Sequence, residues 1–242
     1  MSAAARTALA PTGTLRAALN FSNFLLTGKD PVTGAPRGVA VDMANEIGRR
    51  LGVPVAFTGY DSPGKVADAA TSGVWDIAFL GAEPARANVI DFTAAYVEIE
   101  ATYLVPPGSP IQSLEAVDRK GVRIAVSNRS AYELYLSRTI REAELWKIDG
   151  VAESYDLFAD KKLEALAGLR PRLVTDVERM PGARILPGRF TAIQQAIGAP
   201  RGRDAVGATY LRGFVEEAKA SGFVAAAIER NKVRGLTVAP KG

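Results

Sequence analysis

Trp75 to Tyr96 reads WDIAFLGAEPARANVIDFTAAY, and this stretch constrains the rest of the chain. Ile77-Ala78-Phe79-Leu80 is an apolar run of the length of a buried strand, and Gly81 ends it where the backbone turns or approaches something closely. A loop with Glu83, Pro84 and Arg86 follows, and the chain becomes apolar again from Val89. Two opposite charges thus stand just past the carboxyl end of a buried strand, where open α/β sheets bind ligands. Taken alone, Arg86 is either a surface-loop residue paired with Glu83 or a ligand group.

The preceding residues predict a parallel α/β sheet. Leu15, Ala17 and Leu19 alternate as a strand requires. Lys29 to Gly38, with two Pro and two Gly, reads as a hairpin-like surface loop. Val41, Ala44, Ile47 and Leu51 then form a stripe at helical spacing, with Asp42 in the first turn and Gly52 as the stop. Residues 53–57 start the next strand, which completes a βαβ unit. Tyr60 to Gly73 predicts a turn and a helix with Val66, Ala69 and Ala70 inward.

Beyond Tyr96, Val97 to Val105 reads as a strand with Glu98, Glu100 and Thr102 on one face. A short helix is expected over Ile111 to Lys120, a strand over 122–126, and a helix over 131–145. Ser130 is its N-cap, with Glu133 completing a capping box; the N–H groups at such a helix start also make an anion site. Further expectations are a strand over 145–149, a helix over 151–162 burying Leu157 and Phe158, and strands over 163–168 and 184–187. The last part, 204–230, reads as helical, with Leu211, Phe214, Val215 and Ala218 on one face and Phe223, Ala227 and Ile228 on another. The sequence displays no internal repeat.

Composition removes several chemistries. With no Cys and no His, disulfides, thiol nucleophiles, imidazole bases and Cys/His zinc sites are excluded. The net charge of +4 is spread over arginines with acids between them, which argues against nucleic acid. No run of 18 or more apolar residues suggests a membrane span. Met1 to Pro11 has no apolar core of the kind a signal peptide needs. No metal or organic cofactor is implied.

Arg86 stands five residues before Asp91-Phe92-Thr93, with Tyr96 shortly after. In this, and in the Gly38 to Ile47 stretch, the chain resembles the extracytoplasmic solute-binding proteins of family 3, the polar-amino-acid receptors of ABC importers. The likeness extends from Gly13 to about Arg230. It implies an α/β, two-lobe periplasmic-binding-protein-like fold (type II), with a ligand cleft between lobes and two crossing hinge segments. Lobe one would comprise 1–97 and 193–242, and lobe two 98–192. The resemblance casts Arg86 as a bidentate clamp on a ligand carboxylate, a role for guanidinium rather than ammonium. It also places Asn20, Asn23, Tyr60, Leu80, Gly81, Glu83 and Gln195 at the site from lobe one, and Asn128, Ser130, Ala131 and Arg170 from lobe two.

Several of these positions depart from the family pattern. Asn20 and Asn23 stand where an acid and an aromatic are usual, and Tyr60 would substitute for an aromatic displaced by Pro63. Leu80, Gly81 and Glu83 replace hydroxyl residues, and Gly168-Leu169-Arg170 lacks the aspartate that usually meets an ammonium. The function implied is a monomeric, non-enzymatic receptor that binds a small carboxylate-bearing polar solute, an amino acid or derivative, and serves an ABC transporter permease. Its place would be the periplasm, or the cytoplasm if the native protein has no signal. The alternative on the same fold is a dehydratase acting on prephenate or arogenate, with Glu83 as proton donor.

Overall fold

A computed structural model describes residues 3–242, which divide into two compact units. One runs through Glu98 and resumes at Gln194; the other is Ile99–Ile193. In chain order the first segment contains α1 (Ala3–Leu9), β1 (Leu15–Asn20), β2 (Gly28–Lys29), β3 (Pro36–Arg37), α2 (Val39–Leu51), β4 (Val55–Tyr60), α3 (Pro63–Asp68), β5 (Ile77–Gly81) and α4 (Pro84–Ala87). The long strand β6 (Ile90–Val105) leads into the second unit, with β7 (Arg123–Ser127), α5 (Ala131–Thr139), β8 (Glu144–Ile148), α6 (Val151–Asp160), β9 (Ala165–Leu169), α7 (Arg170–Val177) and β10 (Arg184–Ile185). The strand β11 (Thr191–Pro200) returns to the first unit, followed by α8 (Ala205–Ala220), α9 (Phe223–Arg230) and β12 (Thr237–Val238).

The first unit is built around β1, which pairs in parallel with β4 on one side and β5 on the other. The helix α2 makes the β1–β4 crossover because Val39, Ala40, Met43, Ala44, Ile47 and Leu51 bury one face of it. Its basic last turn, Arg49 and Arg50, precedes Gly52, which caps it in the left-handed conformation at φ 66. Gly38 starts the helix at φ 123, and a Cβ there would lie 2.3 Å from the Leu26 carbonyl oxygen. Only glycine fits that turn. β11 joins β5 antiparallel, and Trp75, Val66, Ala70, Ala78, Leu80 and Ile90 fill one face of this sheet.

The second unit repeats that plan. Its first strand, β7, lies between β8 and β9, parallel to both, and β6 closes the sheet antiparallel to β9. One core joins Ile124, Val126, Leu136 and Tyr132; another joins Tyr155, Phe158, Leu166 and Leu173. The repeat extends to side chains. Arg16 at the start of β1 donates its backbone N–H and Nε to one oxygen of Asp76 and Nη2 to the other. Arg123 at the start of β7 does the same to Glu164. The sequence conceals this repeat because the paired residues lie 60 and 41 positions apart.

Several expectations need correction. Residues 111–120 form turns rather than a helix, and the helix from Ala131 ends at Thr139, with β8 already begun at Glu144. The loop after Gly81 contains the helical turn α4, and the strand expected from Val97 begins at Ile90. Leu157 and Ala69 are only partly buried. In α9 it is Val224 and Ala227 that are buried, with Phe223 and Ile228 partly covered.

Candidate functional site

In the first unit the expected site residues gather where the parallel strands end. Asn20 is in register with Tyr60, and because Leu19 pairs with Phe79, Asn20 is level with Leu80. Gly81 is opposite Gln195 on β11. The chain then turns: Ala82 donates its N–H to the Gln194 carbonyl, Glu83 occupies the N-cap of α4, and Pro84 sets the first helical position. One helical turn carries Arg86 back over the strand end, where its Nη1 donates to the Gly81 carbonyl oxygen at 2.8 Å. Arg86 is buried, at 4% exposure, and Glu83 and Gln195 are buried beside the same strand ends.

The loop after β1 is held by its own side chains. The Asn20 carbonyl accepts from Thr27 Oγ1 at 2.6 Å, and the Asn20 side-chain oxygen accepts from Ser22 N and Ser22 Oγ. Asn23 builds the turn through its carbonyl, which accepts from Leu26 N and Thr27 N, while its buried Oδ1 has no hydrogen-bond partner. Tyr60 is half-buried against the core that contains Val66 and Leu80. Leu80 itself is a core side chain, so only its backbone is available at the strand end.

The second unit places its residues at the equivalent strand ends. Asn128, past β7, donates Nδ2 to Asp149 past β8 at 2.9 Å, and its N–H to the Ile148 carbonyl. Arg129 has left-handed backbone, at φ 57, which turns the chain into α5. Ser130 caps that helix by accepting from Glu133 N at 3.1 Å. The expected capping box is altered: Glu133 Oε2 accepts from Arg129 N instead of Ser130 N, and Oε1 meets Lys147 Nζ at 2.6 Å. Ala131 is buried in the core at this helix start. Burial pushes the neighbouring Tyr132 phenol up to about 12, with hydrogen bonds to Ser130 and Ser127 acting in the opposite direction, so it stays neutral near pH 7.

Arg170 opens α7 after β9, just as Arg86 follows β5, but its surroundings differ. Its Nε donates to Glu100 Oε2 at 2.7 Å and Nη2 to the Gly188 carbonyl, and Arg189 approaches the same carboxylate at 3.6 Å. Arg170 is therefore a member of an ion-pair group on β6. Sequence reading did not find Glu100 as its partner, which lies 70 positions away. It also missed the bond from Gln194 Nε2 to Glu98 Oε1 at 2.9 Å, which ties β11 to β6. Among the described residues no group of three acids could hold a metal ion, and no helix is long and apolar enough to cross a membrane.

Residues 27–231 match the sequence family of bacterial extracellular solute-binding proteins, family 3. The chain belongs to that family. No protein of curated function matches it in sequence. In structure this family-3 protein is similar to the solute receptor for L-cysteine of Neisseria gonorrhoeae, with a TM-score of 0.77, 21% identity and 95% of each chain covered. It is also similar to an amino acid ABC transporter substrate-binding protein from Streptococcus pneumoniae bound to L-arginine. That match has a TM-score of 0.74 and 20% identity over 97% of this chain and 99% of the other. A third likeness is to an ancestral amino acid-binding protein, a precursor of cyclohexadienyl dehydratase. Its TM-score is 0.76, with 20% identity over 93% of this chain and 98% of that one. The fold is thus the two-lobe, type II periplasmic-binding-protein-like fold.

Proposed function

We propose that this family-3 protein binds a small carboxylate-bearing polar solute, an amino acid or a derivative of one, and delivers it to an ABC importer. The observation that carries the reading is Arg86. Its stem is buried at the carboxyl end of β5, and a bond to Gly81 fixes one arm of its guanidinium. A fork held in place loses little freedom on meeting a carboxylate, and it can donate two parallel hydrogen bonds. The N–H groups at the Ser130 start of α5 are, by the same reading, donors suited to an anion.

Family membership supports solute binding, and the neighbours named for cysteine and arginine support an amino-acid-like ligand. The protein acts as a monomeric binder in the periplasm and passes its solute to a permease. Mass spectrometry of the small molecules released on denaturing the purified protein tests this. A carboxylic acid in near-stoichiometric amount is the expected result. A released sugar or polyamine without a carboxylate would count against it.

A further inference from the structure

Two residues past Arg170, Arg172 stands in the first turn of α7, and its guanidinium is held by one edge only. Nε donates to the Asp176 carboxylate, 3.0 and 2.9 Å from its two oxygens. Asp176 is buried, and Arg179 approaches it at 3.7 Å while also meeting the exposed Asp156. Among the described residues nothing accepts from Nη1 or Nη2 of Arg172, and neither atom is buried. Together they carry four N–H donors. The side chain as a whole is 23% exposed, so a solute can reach them.

The second unit places this arginine at the carboxyl ends of its parallel strands. Ile124 pairs with Ala165, so Ser127 at the end of β7 is level with Gly168 near the end of β9. α7 starts at once and folds back over that level, since a Cβ on Gly168 would lie 3.0 Å from Leu173 Cδ2. The Tyr132 hydroxyl bonds to Ser130 and Ser127 just past β7. Burial raises that phenol, and the charge of Arg172 is among the groups that act against it, so the guanidinium is close to the same loop. Strand ends of this kind are where open α/β sheets bind ligands. A guanidinium fixed along Nε holds its planar fork in one direction, and the two Nη atoms match the two oxygens of one carboxylate.

We infer that Arg172 binds a carboxylate of the solute and determines specificity, so that the preferred ligands are dicarboxylic acids, with or without an amino group. This rests on the reading that Arg86 anchors one carboxylate of the solute, to which the one on Arg172 is additional.

Matched pairs that exchange a carboxylate for an amide test it by calorimetry on the whole protein. They are glutamate against glutamine, aspartate against asparagine, and succinate against succinamate, at physiological ionic strength, where long-range attraction is screened. In a pair that binds, the acid should bind at least ~10-fold tighter than the amide. Arg172→Gln should close that gap to within about threefold, while Arg86→Ala should weaken both members of the pair. An amide that binds the wild type as tightly as its acid overturns the inference, even if Arg172→Gln fails to fold. So does a folded Arg172→Gln protein that keeps the wild-type gap. If the gap is as expected but Arg86→Ala leaves both affinities unchanged, the anchor reading alone falls. If no pair binds, the inference falls, and the solute released from the purified protein decides the anchor reading.

Discussion

Asp76, which has no exposed surface, holds Arg16 by three hydrogen bonds, two of them to one carboxylate oxygen. Arg203 adds a fourth donor at 2.6 Å. Burial by itself would raise the Asp76 carboxyl, but the hydrogen bonds from Arg16 and Arg203 hold it below the usual range. In the second unit Glu164 holds Arg123 in the same geometry, with about a third of each side chain exposed. Equal geometry with unequal burial separates the two effects. Asp76→Asn should cost about 3 kcal/mol, the low end for breaking a buried pair, since the two arginines keep about a quarter of their surface. Glu164→Gln should cost less than about 1 kcal/mol. Urea unfolding of both variants checks this, and equal losses would contradict it.

Tyr96 is fully buried, packs edge-on against Phe79 with centroids 6.0 Å apart, and its hydroxyl has no hydrogen-bond partner. Burial pushes its phenol far up, so the group stays neutral. Removing an unsatisfied hydroxyl while keeping the ring removes a cost. Tyr96→Phe should leave stability unchanged or raise it by up to about 1 kcal/mol. A loss of more than about 1 kcal/mol in the same unfolding experiment would mean that the hydroxyl is satisfied in solution.

Acid should weaken the fold through Glu46. Hydrogen bonds from Arg49 lower its carboxyl from an ordinary 4.5 to about 2, with burial opposing and Arg50 reinforcing the shift. As pH falls, the unfolded chain takes up this proton first, so protonation favours unfolding. The stability Glu46 contributes is complete above about 4.5 and is lost as pH falls through about 2. Melting temperature followed over that range should drop less steeply in Glu46→Gln than in the wild type. Parallel curves would show that other carboxylates carry the acid loss.

How far the sequence was legible depends on how local each cause was. The apolar stripe of α2, its Gly52 stop and the Ser130 cap are set by residues within a few positions, and each appears as expected. Leu114 and Val117 have helical spacing too, but the structure around them is tertiary. Arg184 Nη2 takes the carbonyls of Ser109 and Ile111, and the Asp118 carboxylate accepts the N–H groups of Arg141, Glu142 and Ala143. The Asp118 carboxylate thus takes the N–H groups of 141–143, residues that the expected helix would have included. In the candidate site, Asn20 and Arg86 were legible as positions beside a strand end. The engagement of Arg170 by Glu100 was not, because only the folded sheet brings β6 beside β9.

Incubation with prephenate and with arogenate should yield no dehydrated product above the buffer control. The neighbour described as a precursor of cyclohexadienyl dehydratase is the reason to test it. Turnover that disappears in Glu83→Gln would replace the binding reading with a catalytic one.

The most direct test of the central claim is the affinity of Arg86→Ala for the copurified solute, measured by calorimetry on protein that melts as a single cooperative species. Losing one member of a buried, hydrogen-bonded charge pair costs about 2–5 kcal/mol, so binding should weaken by at least ~30-fold. Arg86→Lys should recover only part of it, since an ammonium cannot form both parallel hydrogen bonds. An Arg86→Ala affinity within about threefold of wild type would contradict the carboxylate anchor.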